Sequence, residues 1–173
     1  MNKYIKKNTI DRRRVIVEKI NGMSGNFKGE SDKLEKELGI SINSGDQSIL
    51  IDHLRLAGDI PESFRHDSSE EKLYSKYTDA LLSEAFKSIG LKSLVLTERA
   101  DVADVEVFGK EYSFVADAKA FRLSRTAKNQ KDFKVQAMDG WKHGKPYAMV
   151  VCPIYQLPNR SSQIEPFTLS ATY

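Results

Sequence analysis

Two aspartates and a lysine have the types and spacing that phosphodiester chemistry needs: Asp104, and Asp117-Ala118-Lys119 at the end of the apolar run Phe114-Val115-Ala116. Carboxylates brought together on neighbouring strands can hold a divalent cation beside a phosphate, while a lysine orients the attacking water or steadies developing charge. The combination points to a metal-dependent nuclease. Magnesium prefers oxygen ligands and keeps several waters, so Asp104, Asp117, a backbone carbonyl and a phosphate oxygen would complete its shell. No covalent intermediate is needed. Taken alone, Asp-x-Lys at a strand end more often gives a solvated salt bridge. Here the strand is apolar, which puts the charged pair at the edge of a core, where an unpaired charge is costly unless something binds it. Glu71 is a further catalytic candidate that could approach the same cation, although closing a helix cap would equally explain it. Glu98, Asp101 and Glu106 are left outside the metal site.

A basic stripe follows directly. Arg122, Arg125, Lys128, Lys131 and Lys134 recur every three residues, with Asp132 the one acidic residue among them. Phosphate binding by Arg122, Arg125, Lys128 and Lys131 would make affinity fall with added salt, and Asn129 and Gln130 could read adenine. A lysine-rich helix face is otherwise ordinary solvated surface, and the neighbouring carboxylates tip the reading toward double-stranded DNA.

The elements that must position these groups can be read from pattern. Gln47 opens a helix carrying Ile49, Ile51, Leu54 and Leu56, which Gly58 and Pro61 end. Ser68-x-x-Glu71 matches a capping box, and Leu73, Tyr77, Leu81, Ala85 and Ile89 follow at four-residue spacing before Gly90. Strands are expected over residues 93–97, 102–108 and 112–118, the last two joined by a turn at Gly109-Lys110. The period of two sets Asp117 and Lys119 on one face. A helix then runs from about Thr126 to Trp141, with Ala127, Phe133, Ala137 and Trp141 as its apolar side, and residues 147–152 form a buried strand. That order predicts an α/β fold with a mixed central sheet flanked by helices. Residues 1–45 are weakly patterned, with a short helix over residues 31–38, and residues 46–173 carry the candidate nuclease core within a single domain.

The chain has 173 residues, 40% hydrophobic and 9% aromatic, which suits one domain with a real core. Its net charge of +3 is too small to identify a partner by itself, so the positions of the charges must do so. A single cysteine, Cys152, excludes an internal disulfide framework and a cysteine-rich zinc site; it fits a reducing cytoplasm and reads as a buried, inert thiol. His53, His66 and His143 have no zinc-like spacing, and there is no phosphate loop, dinucleotide fingerprint or nucleophile elbow. The basic leader over residues 1–19 is not followed by an apolar run, so it reads as a solvated, partly disordered end of a cytoplasmic protein without a membrane span.

The stretch from Phe114-Val115-Ala116-Asp117-Ala118-Lys119 through Arg122-Leu123-Ser124-Arg125-Thr126-Ala127-Lys128-Asn129-Gln130-Lys131-Asp132-Phe133-Lys134-Val135 closely resembles the catalytic segment of the HindIII-type type II restriction endonucleases, within the PD-(D/E)XK superfamily. The likeness extends upstream through residues 69–76 and 103–105, and downstream through residues 147–162. It implies a homodimer, each subunit cutting one strand of the palindrome AAGCTT with magnesium, beside a methyltransferase that protects host DNA. It also implies that Asp104 and Asp117 are the motif aspartates and Lys119 the motif lysine, with Ala103 standing where the motif has proline. The family continues into a largely helical C-terminal region, so the chain reads as a C-terminally shortened relative. The alternatives are a DNA-binding remnant that does not cut, and a PD-(D/E)XK repair nuclease of looser specificity.

Overall fold

The computed structural model describes residues 5–43, 46–96, 102–124 and 133–153, and of residues 135 and 136 only the backbone. Arg125, Lys128, Asn129, Gln130 and Lys131 lie outside this set. The described elements are α1 (Lys7–Asn21), α2 (Phe27–Ile42), α3 (Gln47–Ala57), α4 (Ser69–Ser88), β1 (Lys92–Val95), β2 (Val105–Phe108), β3 (Ser113–Ala118), α5 (Val135–Trp141) and β4 (Tyr147–Val151).

The strands form one sheet in the order β1-β2-β3-β4. β1, β2 and β3 pair antiparallel, while β4 runs parallel to β3 after a crossover that contains α5. The sheet is therefore mixed and flanked by helices, and the α/β expectation holds. Its two faces are filled from different sources. Leu82 and Phe86 of α4 cover Val105, Val107, Phe114 and Ala116, with the Phe86 and Phe114 rings 5.4 Å apart and edge-on. Met138 and Trp141 of α5 pack with Ala103 and Val115. This alternation is what a period of two requires of strands covered on both faces.

α4 is long because it serves two cores. Its Leu73, Tyr74, Tyr77 and Leu81 pack with Ile16 and Ile20 of α1, Leu34 and Leu38 of α2, and Leu50 of α3. Ser68 caps it by accepting the Glu71 N–H at 3.2 Å. The box is not closed reciprocally: the Glu71 carboxylate accepts the Asp67 N–H at 2.6 Å. At the other end Gly90 takes φ +87°, a left-handed turn that glycine adopts without strain.

Several expectations are corrected. The basic leader is not a loose end: α1 buries Thr9, Ile16 and Ile20. Two of its cations, Arg12 and Arg13, have acidic partners on and after α3. Arg12 lies 3.6 Å from the buried Asp52, which also accepts the Thr9 hydroxyl at 2.8 Å, and Arg13 reaches Asp59 at 2.7 Å. α2 is twice the expected length, because Asn26 caps it by accepting the Gly29 N–H. At the end of α4 the buried side chain is Phe86, while Ile89 is exposed, since the helix turns its last apolar position past the sheet. Of the helix expected from about Thr126 to Trp141, residues 126–132 lie outside the described set; α5 starts after Lys134, whose φ of +49° is left-handed, and within it Met138 is buried where Ala137 is exposed. β4 is not a buried strand. It lies at a sheet edge, with Tyr147 and Met149 exposed.

Candidate active site

The β2–β3 register pairs Val105 with Ala116, so the next rung outward sets Asp104 opposite Asp117. The hairpin thus does what the sequence required of it. Asp104 ends the ladder with its own side chain, Oδ2 accepting the Ala118 N–H at 3.1 Å, while its carbonyl accepts the Leu96 N–H at 2.8 Å. One carboxylate is thereby locked to the strand that carries the other.

Asp117 is 2% exposed, and Lys119 Nζ approaches its Oδ2 at 2.6 Å. Lys119 is itself fixed through its N–H, which donates to Val151 O at 2.8 Å and prolongs the parallel ladder. The expected common face of Asp117 and Lys119 is present. The ammonium approaches Oδ2 off the line that a hydrogen bond needs, so this fully enclosed oxygen has a neighbouring charge but no aligned donor. Burial pushes the Asp117 carboxyl up to about 7; Lys119 opposes this, and the Asp104 carboxylate, within hydrogen-bonding reach, adds to it. A buried carboxylate beside a half-buried one, with one oxygen lacking an aligned donor, fits a hard divalent cation.

A third acidic group faces the pair, and sequence reading missed it. Asp79 of α4 is 3% exposed and accepts Lys76 Nζ at 2.9 Å. Burial drives its carboxyl up to about 7, with Asp104 next and Asp117 contributing, while Lys76 pulls the other way. The signal was an acidic residue inside the apolar run Tyr77-Thr78-Asp79-Ala80-Leu81-Leu82, with a lysine three residues before it.

The other candidates are engaged as follows. Glu71 Oε2 accepts the Asp67 N–H at 2.6 Å and lies 3.2 Å from His66 Nδ1, and Oε1 accepts Arg122 Nη2 at 3.0 Å. Burial acts to raise its carboxyl, but these donors outweigh it and hold the group below the usual range. His66, Asp67 and Glu71 come together with ligand atoms within 4.8 Å of one another at the start of α4, the first two exposed. Arg122, a candidate for DNA, is largely enclosed against Glu71. Glu106 is paired with Lys145 at 2.7 Å. Cys152 is half-buried, and burial raises its thiol.

A mixed sheet covered by helices, with two acidic residues and a lysine at the open end of its central hairpin, is the restriction-endonuclease-like α/β class. Residues 14–170 match the family model of the HindIII restriction endonuclease, and the chain belongs to that family. It is 46% identical over 117 residues to the type II restriction enzyme HindIII of Haemophilus influenzae (strain ATCC 51907 / DSM 11121 / KW20 / Rd). That alignment covers 66% of this chain and 39% of the enzyme, so the chain spans about two fifths of the length of this curated relative.

Proposed function

We propose that this chain carries the nuclease core of a type II site-specific deoxyribonuclease that hydrolyses double-stranded DNA with magnesium, at AAGCTT, as a cytoplasmic homodimer alongside a protecting methyltransferase. The observation that carries the reading is the facing pair Asp104 and Asp117 with Lys119 on the same face as Asp117, tied to the family membership. Asp104 and Asp117 would hold the cation, which when bound polarises the phosphate and lowers the pKa of a coordinated water. Lys119 steers that water toward phosphorus and offsets charge as the transition state forms. Asp79 and Lys76 supply the wall of α4 against which the pair is packed. Arg125, Lys128, Asn129, Gln130 and Lys131 supply the DNA-facing charge and polar groups, while the Arg122 guanidinium is turned onto Glu71 instead.

A two-fold dimer accounts for a palindrome, because each half-site meets the same surface. Residues 46–173 form the core, and residues 1–45 complete a single domain with it, a reading supported by the helical core that α1 and α2 share with α4. Among the described residues no helix is long and apolar enough to cross a membrane.

The test is digestion of plasmid DNA containing AAGCTT, with and without magnesium, by the purified chain and by Asp117→Ala and Lys119→Ala. Cleavage at that site only with magnesium, lost by about 100-fold or more in both variants, is expected. Cleavage that survives both changes refutes the assignment. A mobility shift on the same DNA without product identifies a binding remnant. Cutting that prefers mismatched or branched DNA identifies a repair nuclease.

A further inference from the structure

The chain leaving β3 is fastened at successive points to a single stretch, residues 58–71. Phe121 N–H donates to Gly58 O at 2.9 Å and Ile60 N–H donates to Phe121 O at 3.2 Å, around a one-rung parallel bridge between Asp59 and Phe121. Arg122 Nη2 then donates to Glu71 at 3.0 Å, and Ser124 gives both its N–H and its hydroxyl to Glu62, each at 2.9 Å. The Ser124 donors hold the Glu62 carboxyl below its usual range. Glu71 has no slack, since its second oxygen is taken by the Asp67 N–H.

We propose that Glu71 and Glu62 are positioning residues: they pin the strap of residues 120–124 and so keep Lys119 in place on Asp117. This rests on the nuclease reading of Asp117 and Lys119. A flexible lysine stem works only from a fixed backbone, and useful placement of such a group has a tolerance of about 0.5 Å. On one side Lys119 is fixed by its N–H to Val151. On the other side the fixing is done by the strap, whose outer half depends on two carboxylates. Charge-assisted bonds in a partly enclosed setting are the strong ones, and the Glu71–Arg122 pair has that setting, with side chains 16% and 21% exposed. Glu71 accordingly acts through the strap, touching neither cation nor DNA.

The experiment takes Glu71→Gln, Arg122→Gln, the double variant and, as an independent arm, Glu62→Gln. Amide hydrogen exchange of the DNA-free protein is read over residues 119–124, and kcat and KM are read on duplex DNA with magnesium. Each single change is expected to speed exchange in the strap by about tenfold while leaving α3 unaltered. It should lower kcat by about tenfold to a hundredfold with KM within about twofold, and the Glu71/Arg122 double variant should lose no more than its worse parent. Unchanged exchange in the strap overturns the proposal. So do kcat losses that multiply in the double variant, or a rise in KM at intact kcat, which would make Arg122 a DNA contact that Glu71 merely restrains. If wild type cuts no DNA with magnesium, the nuclease reading falls by itself, and the exchange arm still decides whether the carboxylates pin the strap. If Glu71→Gln does not fold, exchange and kcat of Glu62→Gln decide it.

Discussion

Replacing Asp117 by asparagine is expected to stabilise the cation-free protein at pH 8. The carboxyl is driven from an ordinary 3.8 to about 7, first by burial and then by Asp104, against the pull of Lys119. At 1.36 kcal/mol per unit, a rise of about three units is a ceiling of about 4 kcal/mol on what ionising this group costs the folded state. Asparagine removes that cost but deprives Lys119 of its partner, so a net gain of roughly 1–3 kcal/mol remains. The sign follows from proton counting. Between about pH 4 and pH 7 the native state keeps a proton that the unfolded chain has released, so wild-type stability falls as pH rises through that window. Below about pH 4 both states are protonated and the difference between variant and wild type closes. Urea unfolding followed by far-ultraviolet circular dichroism in chelator, from pH 4 to pH 8, measures this. A variant no more stable than wild type at pH 8, or a gap that does not narrow toward pH 4, refutes the reasoning. Magnesium should then raise the wild-type midpoint at pH 8 and leave Asp117→Asn nearly unmoved, because a cation that binds the folded site adds RT ln(1 + [L]/Kd).

The buried Asp52, which gathers Thr9, Arg12 and Arg55, should cost about 3 kcal/mol on change to alanine, read as a drop in the urea midpoint. His53 carries the opposite pH signature to Asp117: burial lowers it to about 4, so its share of stability is present above about pH 6.5 and lost as pH falls toward 4, and His53→Gln should flatten the unfolding free energy across that interval. A side chain at Gly58 would put its Cβ 1.9 Å from Pro153 Cγ, so Gly58→Ala should cost about 1–3 kcal/mol in unfolding measurements. Ser68→Ala should remove about 1 kcal/mol by loss of the α4 cap, measured by thermal unfolding.

The hairpin was legible because its signal is local. Alternation of Ala103, Val105 and Val107 with Asp104 and Glu106, then a turn and an apolar strand, determines faces and register, and these bring Asp104 to Asp117. α3 and the α4 cap were legible for the same reason. What could not be read was long-range. Ile16 and Ile20 of α1 already stand four apart, yet the cations between and before them suggested a solvated end, because their partners Asp52 and Asp59 lie some 40 residues away in sequence. Asp79 was hidden similarly: it looks like a stray charge in an apolar helix until the strands are placed beneath it. The exposure of Tyr147 and Met149 depends on which strand ends the sheet, which composition does not encode.

The Asp104 side chain standing in for a rung of the ladder makes the hairpin a ruler with one permitted setting. Extra residues inserted at the tip, between Phe108 and Ser113, would only lengthen a surface connection and leave the two acids abreast. A single deletion inside either arm would turn every later side chain over to the opposite face and part them. Natural variation in length among relatives should therefore gather at that tip and spare the arms.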